Sequence, residues 1–307
     1  MNGAGSDFAT RLAQETRRLG TPLCVGIDPH LDKIPALFRI GDMDYRKPQT
    51  AEAVAAFCHA FIERLVGRVG IIKPQIAFFE QLGWRGLRVL EEVARSARRS
   101  GLLVVLDAKR GDIGSTSEAY ANSYLTPGSF LESDALTVQP YMGMDALEPF
   151  IARAEEYGRG LFVLVRTSNQ GARDFQDQHI NGEPLYLRVA RVLAKVSERL
   201  NLSGEWSNLG IVVGATYPEQ ALKLREVLPR SLFLVPGYGA QGASAVDSLR
   251  GFVPGPDGIL EGGIVNTSRM VLFPQTGYDT TTKGWEKAID DNLGSVISNL
   301  SEALGKS

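Results

Sequence analysis

The 307-residue sequence is poor in the residues from which disulfide frameworks and metal centres are usually built. It has two cysteines, Cys24 and Cys58, which suggest neither a disulfide scaffold nor a cysteine-based metal site. Its three histidines, His30, His59 and His179, are scattered and form no H-E-x-x-H or similar ligand pair. We therefore expect no bound metal, and two half-buried, reduced thiols in a cytoplasmic protein.

Excess charge and long apolar runs are also missing. A net charge of −2 provides no basic surface for nucleic acid and no polybasic face for a membrane. No apolar run approaches the roughly 18 residues of a membrane span. Residues 1–20 carry Arg and Glu where a signal peptide needs an apolar core. With 44% hydrophobic and 22% charged residues, the composition is that of an ordinary globular protein without nucleic-acid or membrane partners.

The most informative stretch is residues 102–116, LLVVLDAKRGDIGST. Leu102–Leu106 form a short apolar run that fits a buried strand. Three charged residues follow at its carboxyl end: Asp107, Lys109 and Asp112. Because side chains alternate along a strand, we expect Asp107 and Lys109 to point to the same face.

Two interpretations of these charges remain open on spacing alone. One is structural: a salt bridge at the end of a strand, followed by a helix with its N-cap at Ser115 or Thr116. The other is functional, because charges at the end of an apolar strand persist when they are paired or used.

Eight strand-like segments alternate with helical patterns along the chain, and no change of composition suggests a linker. This pattern predicts a single (β/α)8 TIM barrel over residues 1–307, preceded by an N-terminal helix near residues 7–19. A doubly wound open sheet is the alternative, weakened because no G-x-G-x-x-G follows the first strand. The predicted strands lie near residues 21–28, 69–73, 102–106, 135–138, 161–166, 209–216, 231–236 and 262–267.

In such a barrel the carboxyl ends of the strands carry the functional groups. Each polar residue at these ends has a plain explanation when taken alone: Asp28 as a turn cap, Lys73 as a snorkelling side chain, Arg269 as a solvated residue at a helix start. Their convergence on one rim favours a site. The polar residues at strand ends are Asp28, Lys73, Asp107, Lys109, Ser168 and Arg269.

The seventh and eighth units predict an anion site. Gly237, Gly239 and Gly242 allow backbone N–H groups to approach a ligand, and Gln241 adds a donor. Arg269 follows the eighth strand and has the fork geometry that suits phosphate. Loops after strands seven and eight form a recurrent phosphate site in this fold.

These motifs resemble the orotidine 5′-phosphate decarboxylase family. The D-x-K-x-x-D signature is Asp107-Ala-Lys109-Arg-Gly-Asp112 here, and the wording DAKRGDIGST resembles the longer bacterial branch. GIDP, IKPQIAFFE, VRTSN, PGYGAQG and NTSR extend the resemblance over most of the chain. The resemblance implies decarboxylation of orotidine 5′-monophosphate (OMP) to UMP in pyrimidine synthesis, without a metal or organic cofactor.

The resemblance also implies roles for the charged residues. Lys109 would donate the proton to C6 of the pyrimidine, and Asp107 would lie against the departing carboxylate. Lys73 would complete the alternating charges and contact the ribose. Asp112 and Thr116 would reach across the interface of a homodimer into the partner's site.

The remaining implied roles concern substrate binding. Asp28 would hydrogen-bond the ribose, and Ser168 would contact the pyrimidine edge. Gln241 and Arg269 would hold the phosphate. Phosphate binding closes loops over some sites, and we expect the glycine- and proline-rich loop at residues 250–258 to be such a lid.

Other functions stay open. Mg²⁺-dependent sugar-phosphate decarboxylases and aldolases keep a similar D-x-K-x-x-D motif but usually place an acid where this chain has Lys73. A catalytically inactive nucleotide-binding barrel is a second alternative, and a structural barrel with a salt-bridged rim is a third. Segments 31–50 and 170–183 have no role that the sequence assigns.

Overall fold

The computed structural model describes residues 6–239, 242–274 and 281–305. Within these ranges eight parallel strands close into a barrel, each paired with its neighbours in sequence and the last paired with the first. Helical segments connect successive strands. The predicted TIM barrel is confirmed, and the open-sheet alternative is wrong because the first and last strands are joined.

The barrel strands are short and almost entirely buried, as expected when helices cover the outside and side chains fill the inside. In chain order they are β1 Leu23–Ile27, β2 Ile71–Pro74, β3 Leu103–Arg110, β4 Ala135–Val138, β5 Gly160–Arg166, β6 Ser207–Val213, β7 Ser231–Pro236 and β8 Gly263–Thr267. Only β3 extends well beyond its predicted end: the prediction ends at Leu106, and the strand continues to Arg110.

The helices follow the predicted pattern closely. They are α1 Phe8–Leu19, α2 Pro48–Leu65, α3 Ala77–Glu80, α4 Gly83–Arg99, α5 Gly114–Leu125, α6 Met144–Tyr157, α7 Leu185–Arg199, α8 Pro218–Val227, α9 Ala245–Ser248, α10 Arg269–Leu272 and α11 Thr282–Leu304. The predicted cap of α5 at Ser115 or Thr116 is wrong: Ile113 is the N-cap residue and gives no side-chain hydrogen bond. No helix in the described ranges is long and apolar enough to cross a membrane.

Helix α1 closes the amino-terminal end of the barrel. The Phe8 ring meets the Phe162 ring edge to face, with centroids 6.0 Å apart. Gly160 makes room for it, since a Cβ there would lie 2.3 Å from Phe8 Cδ1. The Ala9 N–H donates to Asn208 Oδ1 at 2.8 Å. Helix α1 therefore covers the amino-terminal end of the barrel, whereas functional groups of this fold lie at the carboxyl end.

Both cysteines are free and fully buried, so the expectation that they are half-buried is wrong. Cys24 lies in β1 and Cys58 in α2, within separate apolar clusters. Burial raises the pKa of the Cys24 thiol to about 12 and also raises that of Cys58. These thiols are core residues rather than reactive groups.

The segment 250–258 lies at the wrong end of the barrel for a lid. It leads into β8, and Val253–Pro254 pairs with Leu260–Glu261 as a small antiparallel hairpin. Glu261 accepts hydrogen bonds from Arg17 of α1 at 2.7 and 2.8 Å. A segment that precedes a barrel strand lies at the amino-terminal face, whereas a lid over the site must follow one.

Candidate active site

Two lysines flank one aspartate at the carboxyl ends of β2 and β3. Asp107 Oδ2 lies 2.6 Å from Lys73 Nζ, and Asp107 Oδ1 lies 2.6 Å from Lys109 Nζ. Asp107 and Lys73 are only 6% and 5% exposed, whereas the Lys109 side chain is 46% exposed. The structural interpretation correctly anticipates ion pairing here. Of the two lysine side chains, that of Lys109 is the more exposed to a ligand.

An irregular backbone brings Lys109 to Asp107. Lys109 has a φ of +48°, in the left-handed region that side chains rarely adopt. The pairing of β3 with β4 shifts register between Leu106 and Arg110, which is the signature of a bulge. Simple strand alternation therefore predicts the correct pair of residues but not the backbone that joins them.

Thr137 of β4 supports this bulge, and the sequence analysis missed it. Its hydroxyl donates to Asp107 Oδ1 at 2.9 Å and accepts the N–H groups of Ala108 and Lys109 at 3.0 and 2.9 Å. One donor and two acceptors are all that a hydroxyl offers, so the group is saturated. Thr137 is 1% exposed. The only available signal is a polar residue in a predicted strand adjacent to the D-x-K motif.

The surrounding charges favour the ionised forms of Lys73 and Asp107. Burial alone would lower the pKa of Lys73, but Asp107 and Asp28 outweigh it and raise that pKa above its ordinary value. Burial alone would raise the pKa of Asp107, but Lys73 and Lys109 outweigh it and hold that pKa below its ordinary value. Lys73 and Asp107 are therefore charged at neutral pH, and their geometry is set before any ligand binds.

Asp28 follows β1 directly and is half-buried. The main-chain oxygen of Asp28 closes the turn at Pro29 by accepting the His30 N–H at 2.8 Å. The Asp28 side chain does not cap that turn. Its Oδ1 atom is buried and has no hydrogen-bond partner within the described residues. A carboxylate beside Lys73 with an unused acceptor can receive a hydroxyl group of a ligand.

Asp112 and Thr116 do not join the array within their own chain. The Asp112 side chain accepts the Ile113 N–H at 2.8 Å, and Thr116 is exposed in the first turn of α5. No hydrogen bond or ion pair in the described part of the chain links either side chain to Lys73, Asp107 or Lys109. The chain turns away at Gly111, where a Cβ would lie 2.4 Å from Gln139 Nε2.

Ser168 lies in the turn after β5 and is half-buried. The turn packs against Gly214, which follows β6. A Cβ at Gly214 would lie 2.7 Å from Ser168 Cα, so the close approach requires glycine. Ser168 thus sits on the same rim as the charged array.

The segments after β7 and β8 contact each other, as the predicted anion site requires. Gly237, Gly239 and Gly242 all have positive φ values: 108°, 69° and 87°. A Cβ at Gly239 would lie 1.7 Å from Met270 Sδ in α10, next to the exposed Arg269. Gln241 lies outside the described residues. No group of three or more His, Cys, Asp or Glu side chains in the described ranges could hold a metal ion.

Fold and site together define a (β/α)8 barrel with a preorganised Lys–Asp–Lys array at the carboxyl ends of its strands, where enzymes of this fold carry their active sites. A sequence model of the orotidine 5′-phosphate decarboxylase / HUMPS family matches residues 21–273. The chain belongs to this family.

Individual relatives are similar over nearly the full chain. An orotidine 5′-phosphate decarboxylase of Rhodopirellula baltica is 41% identical over 97% of this chain and 98% of its own. That of Roseiflexus castenholzii is 43% identical over 83% of this chain and 85% of its own. A crystal structure of a putative orotidine-monophosphate-decarboxylase from Toxoplasma gondii superposes with a TM-score of 0.80 at 30% identity, covering 99% and 98% of the two chains.

The site geometry predicts an acid-sensitive contribution of Asp107 to stability. A carboxyl whose folded pKa lies below its unfolded pKa stabilises the fold above the unfolded value, about 4, and loses this contribution as the pH falls through the folded pKa. Asp107→Asn should lower the free energy of unfolding by about 3 kcal/mol at pH 7, since it leaves buried Lys73 without its closest partner.

Urea unfolding of both proteins between pH 7 and pH 3 measures this contribution. The difference should shrink below about pH 4, when wild type begins to lose the same interaction. Asp257→Asn, in an exposed turn, is the matched control and should follow wild type throughout. A wild-type-to-variant difference that is independent of pH would contradict the assignment.

Proposed function

We propose that this chain decarboxylates OMP to UMP in pyrimidine synthesis, without a metal or organic cofactor. The observation that carries the proposal is the Lys73–Asp107–Lys109 array, in a chain that belongs to this family. The unpaired cysteines fit a reducing, cytoplasmic compartment.

The array suits the charge that decarboxylation generates. When the bond from C6 to the carboxylate breaks, CO₂ leaves and the electron pair stays on C6 as a carbanion. A fixed ammonium group stabilises that charge, and Lys109 is the more exposed lysine of the array. Lys109 then transfers a proton to C6 and is reprotonated from solvent. Asp107 and Thr137 hold Lys109 in place before the reaction begins.

Other residues at the same rim bind different parts of the substrate. Lys73 and Asp28 contact the ribose, and Ser168 contacts the pyrimidine edge. Arg269 and Gln241 hold the phosphate beside the glycine turn after β7. Phosphate binding far from C6 organises the site for the chemical step.

We further propose a homodimer in which Asp112 and Thr116 complete the partner's site. Their side chains make no bond to the array of their own chain within the described residues, and α5 starts with an outward turn. Three apolar side chains are exposed in the same turn and in the loop between β4 and α6: Ile113, Tyr141 and Met142 are 56%, 87% and 44% exposed. Exposed apolar residues near polar side chains that do not contact their own array suit a subunit interface.

A second candidate is the Mg²⁺-dependent chemistry of sugar-phosphate relatives. Those enzymes usually place an acid where this chain has Lys73, and here the Lys73 ammonium pairs with Asp107. A buried cation at this position opposes a divalent metal, so the first proposal is favoured.

The reaction is tested by the ultraviolet absorbance of OMP incubated with purified protein and a chelator. We expect loss of the orotate band and formation of UMP, and Lys109→Ala should abolish both. Activity that requires added Mg²⁺, or a fully active Lys109→Ala variant, would contradict the proposal. UMP binding by wild type without turnover would favour the inactive nucleotide-binding barrel.

Thr137 provides a finer test of preorganisation. Thr137→Val keeps the shape but removes the hydroxyl that joins Asp107 to the backbone of Ala108 and Lys109. We expect kcat to fall about 10- to 100-fold, since each lost hydrogen bond in a buried site is worth about 1–3 kcal/mol. Thr137→Ser retains the hydroxyl and should keep most of the activity. Equal kcat values for the Val and Ser variants would show that the hydroxyl does not position the array.

The dimer is tested by mixing two inactive variants, Lys109→Ala and Asp112→Ala. If Asp112 acts across the interface, a mixed dimer contains one site with both native residues. Random exchange of subunits should then restore about a quarter of wild-type activity, because half of the dimers are mixed and each has one intact site. No recovery after subunit exchange, verified with tagged chains, would place Asp112 in its own subunit's site.

A further inference from the structure

The loop after Ser168 has a structure that the sequence does not predict. It contains a 3₁₀ helix, Gln170–Asp174, and a small hairpin that pairs His179–Ile180 with Glu183–Pro184. This loop connects β5 to α7 at the same rim as the charged array. Its side chains reach back to the strand end that carries Ser168.

Gln176 binds the backbone N–H and the hydroxyl of Thr167, the residue before Ser168. Its Oε1 accepts the backbone N–H of Thr167 at 2.8 Å, and its Nε2 donates to Thr167 Oγ1 at 2.9 Å. The Thr167 hydroxyl donates in turn to Asn169 Oδ1 at 2.7 Å. One amide in the loop therefore fixes the main chain and the side chain at the start of the turn.

Arg166, the last residue of β5, anchors the same loop from below. It is fully buried, and its Nη2 lies 3.0 Å from Asp177 Oδ2. Its guanidinium carbon lies 3.5 Å from the centroid of the Tyr217 ring. A buried guanidinium needs a carboxylate or an aromatic ring as a partner. The Arg166–Asp177 ion pair therefore holds the loop to the end of β5.

Ser168 is clamped from its other side by Gly214. The Gly214 N–H donates to the Arg166 carbonyl at 2.8 Å, and the close approach of Gly214 to Ser168 Cα leaves no room for a Cβ. The position of Ser168 is thus set by β6 on one side and by Gln176 on the other. Only the second of these contacts is made by a side chain that a mutation can remove without altering the barrel.

We propose that Gln176, with Arg166, is a positioning residue that holds the Thr167–Ser168 turn in the geometry needed for pyrimidine recognition. The inference rests on the proposed function, in which Ser168 contacts the pyrimidine edge. Neither residue hydrogen-bonds to Lys73, Asp107 or Lys109, so the loop acts on the binding of the base rather than on the proton transfer.

The test compares Gln176→Leu with Gln178→Leu, a matched control in the same loop. The exposed Gln178 side chain donates only to the Arg173 carbonyl, at 3.2 Å, among the described hydrogen bonds. Calorimetry measures the binding of UMP, which carries the base, and of ribose 5-phosphate, which lacks it. For Gln176→Leu we expect UMP affinity to fall about tenfold, ribose 5-phosphate affinity to stay unchanged and KM for OMP to rise more than kcat falls. Gln178→Leu should leave all of these values unchanged.

Gln176→Glu provides a second variant, since it keeps the acceptor for the Thr167 N–H and replaces the donor with a second, charged acceptor near Arg166. The UMP affinity of Gln176→Glu should lie between those of wild type and Gln176→Leu. If Gln176→Leu does not fold, Gln176→Glu takes its place in the test. Unchanged UMP affinity, or an equal loss for UMP and ribose 5-phosphate, would overturn the inference while an active wild type upholds the proposed function. A wild type that neither binds UMP nor decarboxylates OMP would overturn both.

Discussion

The site depends on the ion pairs that the Asp107 carboxylate forms with two lysines. The carboxylate is bonded to two ammonium groups and one hydroxyl, from Lys73, Lys109 and Thr137, and these residues come from three adjacent strands. Lys73 is buried at the end of an apolar strand, where an isolated ammonium would be strongly disfavoured. With Asp107 in place, the same burial strengthens the attraction between the charges and fixes their geometry.

The barrel fold places the charged array at the carboxyl ends of its strands. Helix α1 packs apolar side chains such as Phe8 across the amino-terminal end of the barrel, and the Lys–Asp–Lys array lies at the opposite rim. There the strand ends supply groups of different kind: charges after β1 to β3, the Ser168 turn after β5, and glycine-rich backbone beside Arg269 after β7 and β8. A substrate with a base, a sugar and a phosphate can meet each kind of group at a separate part of one rim.

Sequence patterns predicted the barrel well because each β/α unit carries its own local signal. The apolar run 102–106, the charges that follow it and the glycines near Gly237 are all readable over a few residues. Thr137 and the register shift beside Lys109 were not readable, because they depend on how β3 pairs with a strand about 30 residues away. The hairpin at residues 253–261 was misjudged for a related reason: its composition suits a lid, but its place before β8 puts it at the far end. The Gln176 contact likewise joins residues that no short motif connects.

Proton transfer between Lys109 and C6 can be measured in the reverse direction of the proposed reaction. UMP incubated with the protein in D₂O should acquire deuterium at C6, because the step that protonates the carbanion is reversible at the same lysine. Proton NMR follows the loss of the C6 signal, with Lys109→Ala measured beside wild type. We expect exchange with wild type and none with the variant. Exchange at an undiminished rate in Lys109→Ala would show that a group other than Lys109 is the proton donor.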